Sequence, residues 1–477
     1  MKKKFIIYFI LLSLVLTSCT YDHSDETTVI ENGDDLSNEL IYFIMTDRFY
    51  DADQSNNYDV DKTDLKKRHG GDLKGVIEKL DYIKSLGATA IWLTPVMENG
   101  KDGYHGYWIN DFYKVDPYLG TMDDLKLLVD EAHKRDMKVI LDYVVNHVGY
   151  DSPWLNDENY KDWFNENQEI FNWNDQTQVE KGWLMGLPDL NFDNPEVVDF
   201  FLENSLWWIE ETGIDGYRLD TVKHVPKEFW VKFTSNILEN YPDFYFLGEV
   251  WSENIHYIKQ YEDTGITGFT NYPLYKAITT TFNEYGKSSK LKNAIKADLE
   301  VFNNSKNALF IDNHDNPRFI SKHRNFADEY YKQALTFIMT YPQIPVIYYG
   351  TEIGMEGKED PLNRTDMEWE KTENSSKLEY FKFLSELRNR EVIMSGEFLL
   401  LETDDDCIAY QYLDGKDSII IVMNLKNIEK NIQLKVNGDF IKLHEYGDNN
   451  DEAKISNGNI NINLLPLEIK IFSISKF

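Results

Sequence analysis

The sequence is poor in cysteine, in basic residues and in long apolar runs, and each shortage closes off a class of protein. Its 477 residues hold two cysteines, Cys19 and Cys407. Cys19 is expected to carry a lipid on its sulfur at the end of an export signal, so Cys407 is left as the one free thiol of the processed chain and no intramolecular disulfide is expected. Core burial and bound ions are left to stabilise it. Lys and Arg number 49 against 82 Asp and Glu, a net charge of −33. Such a field repels nucleic acid and anionic membrane surfaces, so neither is an expected partner. The apolar run Phe5 to Leu16 falls short of the roughly 20 residues that a bilayer-spanning helix needs.

That run sits between Lys2-Lys3-Lys4 and Leu16-Thr17-Ser18-Cys19. The order is that of a bacterial lipoprotein signal, in which cleavage leaves a lipidated cysteine at the new N-terminus. We therefore expect residues 1–18 to be a signal peptide and Cys19 the lipid-bearing residue. Residues 19–37, with Asp22, Asp25, Glu26, Glu31, Asp34 and Asp35, read as an acidic tether. The expected product is a monomer outside the cytoplasm, held at the cell membrane only through its lipid.

From residue 40 short apolar segments alternate with amphipathic helical patterns. Strands are expected at 40–46, 89–94, 138–145, 214–219, 244–249, 266–270, 308–312 and 344–349. Several lack polar alternation, as strands covered on both faces should. Helices are clearest at 73–86, 122–135, 195–212 and 328–340, with Gly87 and Gly213 where a left-handed cap belongs. Eight strands with intervening helices give an α/β fold, a (β/α)8 TIM barrel over 38–145 and 193–390. The gap after the third strand holds an irregular inserted subdomain, 146–192, rich in Asn, Asp and Trp. Residues 391–477 read as a C-terminal antiparallel β-sandwich, with strands at 407–413, 418–425, 431–436, 440–445 and 467–474.

Catalytic groups of such a barrel gather at the C-terminal ends of its strands. Asp142-Tyr143-Val144-Val145-Asn146-His147 ends the third strand, and Gly216-Tyr217-Arg218-Leu219-Asp220 the fourth, followed by Lys223-His224. Gly248-Glu249-Val250-Trp251 ends the fifth and Asp312-Asn313-His314-Asp315 the seventh. One rim thus receives an arginine, histidines and several carboxylates. The 30 Tyr, 27 Phe and 11 Trp mostly fill a large core, but their faces also suit the C–H groups of sugar rings.

These four segments resemble the signature regions of the α-amylase family of glycoside hydrolases. Tyr104-His105-Gly106-Tyr107-Trp108, Leu187-Pro188-Asp189-Leu190-Asn191 and Gly350-Thr351-Glu352-Ile353-Gly354 resemble further motifs of that family. The resemblance runs from about residue 40 into the C-terminal sandwich. It is strongest toward fungal-type α-amylases and cyclodextrin glucanotransferases, and it implies retaining hydrolysis of α-1,4-glucosidic bonds in starch or maltodextrin. Asp220 would be the nucleophile, Glu249 the general acid/base and Asp315 the stabiliser of the transition state. Arg218, on the same face of its strand as Asp220, should keep the nucleophile ionised. Glu249 has no equally close cation in sequence and so should keep the higher pKa an acid needs. His147 and His314 would donate to sugar hydroxyls, Tyr107 would stack under the sugar, and His105, Asp360 and Arg364 would bind the same unit. Trp108 and Lys223 would line adjacent subsites.

The resemblance also implies a structural Ca2+ held by Asn146, Glu180, Asp189 and the carbonyl of His224, oxygen ligands that suit a hard cation. A second Ca2+ would use Asp51, Asp53, Asn56, Asn57, Gly70 and Asp72, a segment otherwise readable as an Asn/Asp-rich turn. Two other readings compete. A transglycosylase of the cyclodextrin glucanotransferase kind carries an aromatic residue two positions after the acid/base, as Trp251 stands here. Against it, such enzymes usually carry starch-binding domains beyond one terminal sandwich. A non-catalytic glucan-binding lipoprotein would have lost a carboxylate, and none is missing. Lys223-His224 and Leu187-Pro188-Asp189 resemble α-1,4-acting rather than α-1,6-acting relatives.

Overall fold

The structure is a computed structural model that describes residues 39–302, 306–415, 417–438, 442–445 and 452–473. The signal peptide, Cys19 and the acidic tether lie outside the described residues.

All eight expected barrel strands form. They are Ile41–Ile44, Ala90–Leu93, Lys138–Tyr143, Gly216–Leu219, Tyr245–Gly248, Gly268–Phe269, Ala308–Leu309 and Ile344–Tyr348. Strands one to six pair in parallel in chain order; the eighth pairs in parallel with the first and with the seventh. The ring closes between the sixth and seventh through a parallel bridge from Thr270 to Ala308. Those two strands have two residues each, shorter than the 266–270 and 308–312 expected from sequence. A side chain replaces part of the missing ladder: Asn307 Oδ1 accepts the backbone N–H of Phe269 at 2.8 Å. Gly268 permits the approach, since a Cβ there would lie 2.0 Å from the Lys306 carbonyl oxygen.

The helices start close to the expected residues, and side-chain caps hold them there. Asp72 caps Leu73–Ser85 by accepting from Gly75 N–H, and Thr121 and Asp124 form a reciprocal capping box on Met122–His133. Pro195–Thr212 begins with Asn194 and Pro195 and stops at Gly213, whose φ is 72°. Leu73, Val76, Leu80 and Ile83 are buried on one stripe of the first of these helices, which lies against the strands. Around 266–305, where the pattern is least periodic, two helices form, Tyr272–Thr281 and Ser288–Val301.

Two local features were not legible in the sequence. A hairpin of Met97–Asn99 and Ile109–Val115 follows the second strand and presents Tyr104 to Trp108 in its loop. Between Tyr143 and Pro195 the chain forms the short turns Pro153–Asn156, Glu158–Trp163 and Leu184–Gly186 and one helix, Gln176–Lys181.

A short helix, Glu391–Ser395, precedes the C-terminal strands, where the sequence pattern suggested strand alone. Eight antiparallel strands follow in one order. Glu397–Leu401, Glu452–Ser456 and Asn459–Leu464 are additions to the five expected. Cys407–Asp414 and Asp417–Asn424 are apolar at consecutive positions because both faces are covered. Ile408, Tyr410, Tyr412, Ile419, Ile421 and Met423 join the barrel's core. Cys407, Ala409, Ile420 and Val422 enclose a second core with Leu434, Ile460, Ile462 and Leu464. Polar bonds weld the domains, among them Tyr412 OH to the Thr340 carbonyl (2.6 Å) and Gln333 Nε2 to that of Asn424 (2.7 Å).

Candidate active site

Because the strands run parallel, all their C-terminal ends open on one face. A cleft of about 470 Å³ lies there, lined by Asp220, Glu249 and Asp315 together. His105, Tyr107, Trp108, His147, Lys223, Trp251, His314, Asp360 and Arg364 line it too. Of the catalytic and sugar-binding residues picked out by sequence, only Arg218 does not touch the cleft. It lies just beneath, 1% exposed.

Arg218 organises the floor. Its Nη1 donates to Asp220 Oδ1 at 2.6 Å and to both oxygens of Asp142 at 3.0 Å. Its Nη2 lies 2.8 Å from Glu249 Oε1. This corrects the expectation that Glu249 stands apart from the cation: the guanidinium reaches it across the neighbouring strand, a contact no spacing within one strand reveals. Burial raises the pKa of Asp220 and of Glu249, and Arg218 opposes the rise in both. Each carboxylate also faces the others as like charges, Asp220 with Asp142, Glu249 and Asp315 around it. Arg218 gives Asp220 and Glu249 one contact each, and Glu249 Oε2 also meets the Thr221 backbone N–H at 3.4 Å. One cation among these acids favours a proton somewhere on the cluster.

Asp142 is fully buried and accepts from Trp92 Nε1 (3.1 Å) and Tyr107 OH (2.7 Å) as well as from Arg218. The Tyr107 ring, held by that bond, lies parallel to His314 with centroids 5.1 Å apart. His105 Nδ1 accepts the Tyr107 backbone N–H at 3.1 Å, which leaves its proton on Nε2. Burial keeps His105 and His314 neutral by pushing their pKa values well down, and brings His147 to about 4. His147 differs from expectation. Its Nε2 is 3.1 Å from the Tyr107 carbonyl, so its proton is spent on holding Tyr107 rather than free for a sugar hydroxyl.

Asp315 takes its cation from another segment: Arg364 Nη2 is 3.3 Å from Asp315 Oδ1, and Nη1 is 3.3 Å from Asp360. On the opposite wall Lys223 Nζ donates to the Trp251 carbonyl at 2.8 Å. The Trp251 ring stacks on Tyr272, 5.3 Å away and 6° from parallel, and is 47% exposed. Tyr272 OH in turn donates to Glu249 Oε1 at 3.1 Å. Sequence reasoning missed Tyr150, Trp173 and Met185, which also line the cleft and expose large apolar surface. They come from the inserted segment and its border, where no periodicity marks a face; a local excess of aromatics was the only sign.

The first set of metal candidates divides by contact. Asp189 Oδ2 accepts from Asn165 Nδ2 at 2.8 Å, while its Oδ1 is buried without a partner. Burial raises its pKa well above the ordinary range, opposed only by hydrogen bonds from Asn165 and Asn146. Glu180 accepts from Gln176 Nε2 (2.7 Å), which also donates to the Lys223 carbonyl, and His224 Nδ1 meets the Val179 carbonyl. Gln176 thus ties Glu180 to the Lys223 carbonyl beside His224, and Asp189 separately keeps one unpaired carboxylate oxygen; the chemistry of this oxygen set fits a hard cation.

In the second set, a Cβ on Gly70 would lie 2.5 Å from Asn57 Oδ1 and 3.1 Å from Asp51 Oδ2. Asn56 Oδ1 and Asn57 Oδ1 are buried without partners. Asp53 instead pairs with Lys74, and Asp72 spends both oxygens on the backbone N–H groups of Ala52, Asp53 and Gly75. Among the described residues no three His, Cys, Asp or Glu side chains form a ready metal cage, so both sets depend on amide or backbone oxygens.

Residues 43–391 match the family model described as "Alpha amylase, catalytic domain". Over 464 residues the chain is 36% identical to the "Beta/alpha-amylase" of Paenibacillus polymyxa, covering 92% of this chain but 38% of that longer protein. A solved Anoxybacillus α-amylase superposes with a TM-score of 0.88 at 42% identity, covering 93% of this chain and 99% of its own. CldA, described as a cyclomaltodextrin glucanotransferase with a three-domain ABC distribution, gives 0.82 at 30% identity, covering 92% and 99%. A transferase of this length therefore exists, and the number of domains does not separate hydrolysis from transfer.

Replacing Arg218 by lysine should leave the circular dichroism spectrum unchanged and lower kcat on a soluble maltodextrin by roughly 100-fold, because a point charge cannot serve three carboxylates at once. Initial rates of the purified variant check it.

Proposed function

This chain belongs to the α-amylase family, and from that premise we propose that it hydrolyses internal α-1,4-glucosidic bonds of starch and maltodextrins with retention of configuration. The observation that carries the proposal is the convergence of Asp220, Glu249 and Asp315 on one cleft, with one buried guanidinium contacting the first two. Asp220 attacks the anomeric carbon while Glu249 gives its proton to the leaving oxygen; Glu249 then takes a proton from the water that releases the glycosyl intermediate. Asp315, tied to Arg364, holds the distorted sugar. Neutral His314 and His105 supply N–H donors, and the Tyr107 ring supplies an apolar face. Trp173, Tyr150 and Trp251 extend the sugar-binding walls beyond the cleavage point.

Transfer to a second sugar is the alternative that Trp251 favours, because an exposed ring beside the acid/base can hold an acceptor and displace water. Early products from soluble starch separate the two: hydrolysis gives linear maltooligosaccharides, whereas cyclic products would make it a transferase. In the same assay Glu249→Gln should lower the rate by about 1,000-fold or more; undiminished hydrolysis would remove Glu249 from the mechanism.

Ca2+ bound by Asp189, Asn146, Glu180 and the His224 carbonyl clamps the inserted segment to the barrel. The unpaired Asp189 oxygen supports this. A second ion at Asp51, Asn56, Asn57 and Gly70 is supported by the two unpaired amide oxygens there. A bound ion adds stability that grows as the logarithm of its free concentration over its dissociation constant. Exhaustive EDTA should therefore lower the melting temperature by several degrees, with recovery on adding Ca2+; an unchanged melting curve rules out a structural ion.

We further propose that the mature protein is a monomer carried outside the membrane on lipidated Cys19. Radiolabelled palmitate should enter the wild-type chain but not Cys19→Ala, and labelling of both would place the anchor elsewhere.

A further inference from the structure

The turn bearing His314 and Asp315 reverses within four residues of the seventh strand, and its buried backbone is satisfied from two sides. On one side Asn313 Oδ1 accepts the backbone N–H groups of Asp315 and Asn316, each at 2.9 Å, and the Asn316 side-chain amide at 2.9 Å. On the other side a single side chain collects the carbonyls. Asn363 Nδ2 donates to His314 O at 2.8 Å, to Asn316 O at 3.1 Å and, more weakly, to Asn313 O at 3.4 Å. Asn363 is 0% exposed and does not line the cleft. The next residue continues the attachment: Arg364 Nε donates to His314 O at 2.8 Å.

We propose that Asn363 is a positioning residue for the reaction: it fixes the backbone of the Asn313–Asn316 turn and so sets where the Asp315 carboxylate stands, without touching the sugar. A side-chain amide with two N–H bonds can serve carbonyls on both arms of the turn at once, and Asn363 spends its amide this way while its own Oδ1 stays buried without a partner. A backbone acceptor left unpaired in the interior pulls the chain toward any other donor. The turn's N–H side is held by Asn313, and loss of Asn363 leaves the carbonyl side with only the Arg364 Nε bond to His314 O, so the Asn313 and Asn316 carbonyls are freed and Asp315 can drift. Arg364 does not reach those two carbonyls in its place, because its Nη2 is committed to the Asp315 carboxylate and Nη1 to Asp360. An acid whose role belongs to the transition state loses its effect with a shift of about an ångström, while ground-state binding by the aromatic walls persists.

The proposal rests on the assignment of Asp315 as transition-state stabiliser, and the two are tested separately. Asp315→Asn should abolish turnover; if it does not, that assignment fails and takes this inference with it. With Asp315→Asn inactive, Asn363→Asp (equal volume, no N–H pair) and Asn363→Ser (one hydroxyl donor) are compared with the parent on a chromogenic maltooligosaccharide. The amount of folded enzyme is set by circular dichroism. The expected result is a kcat lower by roughly 10- to 100-fold in Asn363→Asp, a smaller loss in Asn363→Ser, and KM within about threefold. The inhibition constant for acarbose should rise in step with the loss in kcat/KM. If Asn363→Asp does not fold, Asn363→Ser carries the test alone. Unchanged kcat in a folded variant overturns the proposal. So does a lower apparent kcat with unaltered acarbose affinity, since that pattern reports fewer intact molecules rather than a displaced carboxylate.

Discussion

One guanidinium, that of Arg218, faces Asp142, Asp220 and Glu249 in the nearly buried floor of the cleft. Taking charges out of water costs several kcal/mol per ion, and attraction offsets it only when hydrogen bonds satisfy the remaining donors and acceptors. Asp142 meets that condition through Trp92, Tyr107 and Arg218. The other two do so less completely, and three carboxylates around one cation leave an excess of negative charge. The least costly relief is a proton on one member of the cluster, whose carboxyl groups are all pushed upward by burial, Asp142 to about 7. The need for one charged and one protonated carboxyl group thus follows from the charge balance of a single buried cluster.

The barrel supplies what that cluster requires. Parallel strands put every C-terminal end on one rim, so the third, fourth and fifth strands deliver Asp142, Arg218 and Glu249 side by side. Closure between the sixth and seventh strands rests on two-residue segments and on the Asn307 side chain, and the seventh strand leads straight into the turn that carries Asp315. The remaining walls of the cleft, Trp108 of the side hairpin and Tyr150, Trp173 and Met185 of the inserted segment, come instead from loops. The chemistry therefore sits on rigid strand ends and the substrate contacts on loops, where shape can vary without disturbing the charge cluster.

Much of this was legible before any coordinates. The strand ends carry their polar residues in contiguous runs, such as Gly216-Tyr217-Arg218-Leu219-Asp220, because a strand buried on both faces leaves only its end for polar groups. The helix end at Gly213 was readable because caps act locally, while the caps Asp72 and Thr121 were supplied only by the structure. The Cys407–Asp414 and Asp417–Asn424 strands were readable from their apolar runs. Glu452–Ser456 and Asn459–Leu464 were not, since polar residues dilute their pattern and nothing local marks the partner strand.

The sequence by itself determined the fold class and placed the candidate acids at strand ends, because periodicity and strand-end chemistry are local properties of the chain; the roles proposed for Asp220, Glu249 and Asp315 came from the resemblance to the α-amylase family. The tertiary structure decided how those groups divide their work. It alone brings Arg218 to Glu249, commits the His147 proton to the Tyr107 carbonyl, turns Asp53 toward Lys74 and places Asn363 on the carbonyls beside Asp315. Each of these is a contact between segments that no spacing along the chain encodes, and through-space distance sets both hydrogen bonding and charge.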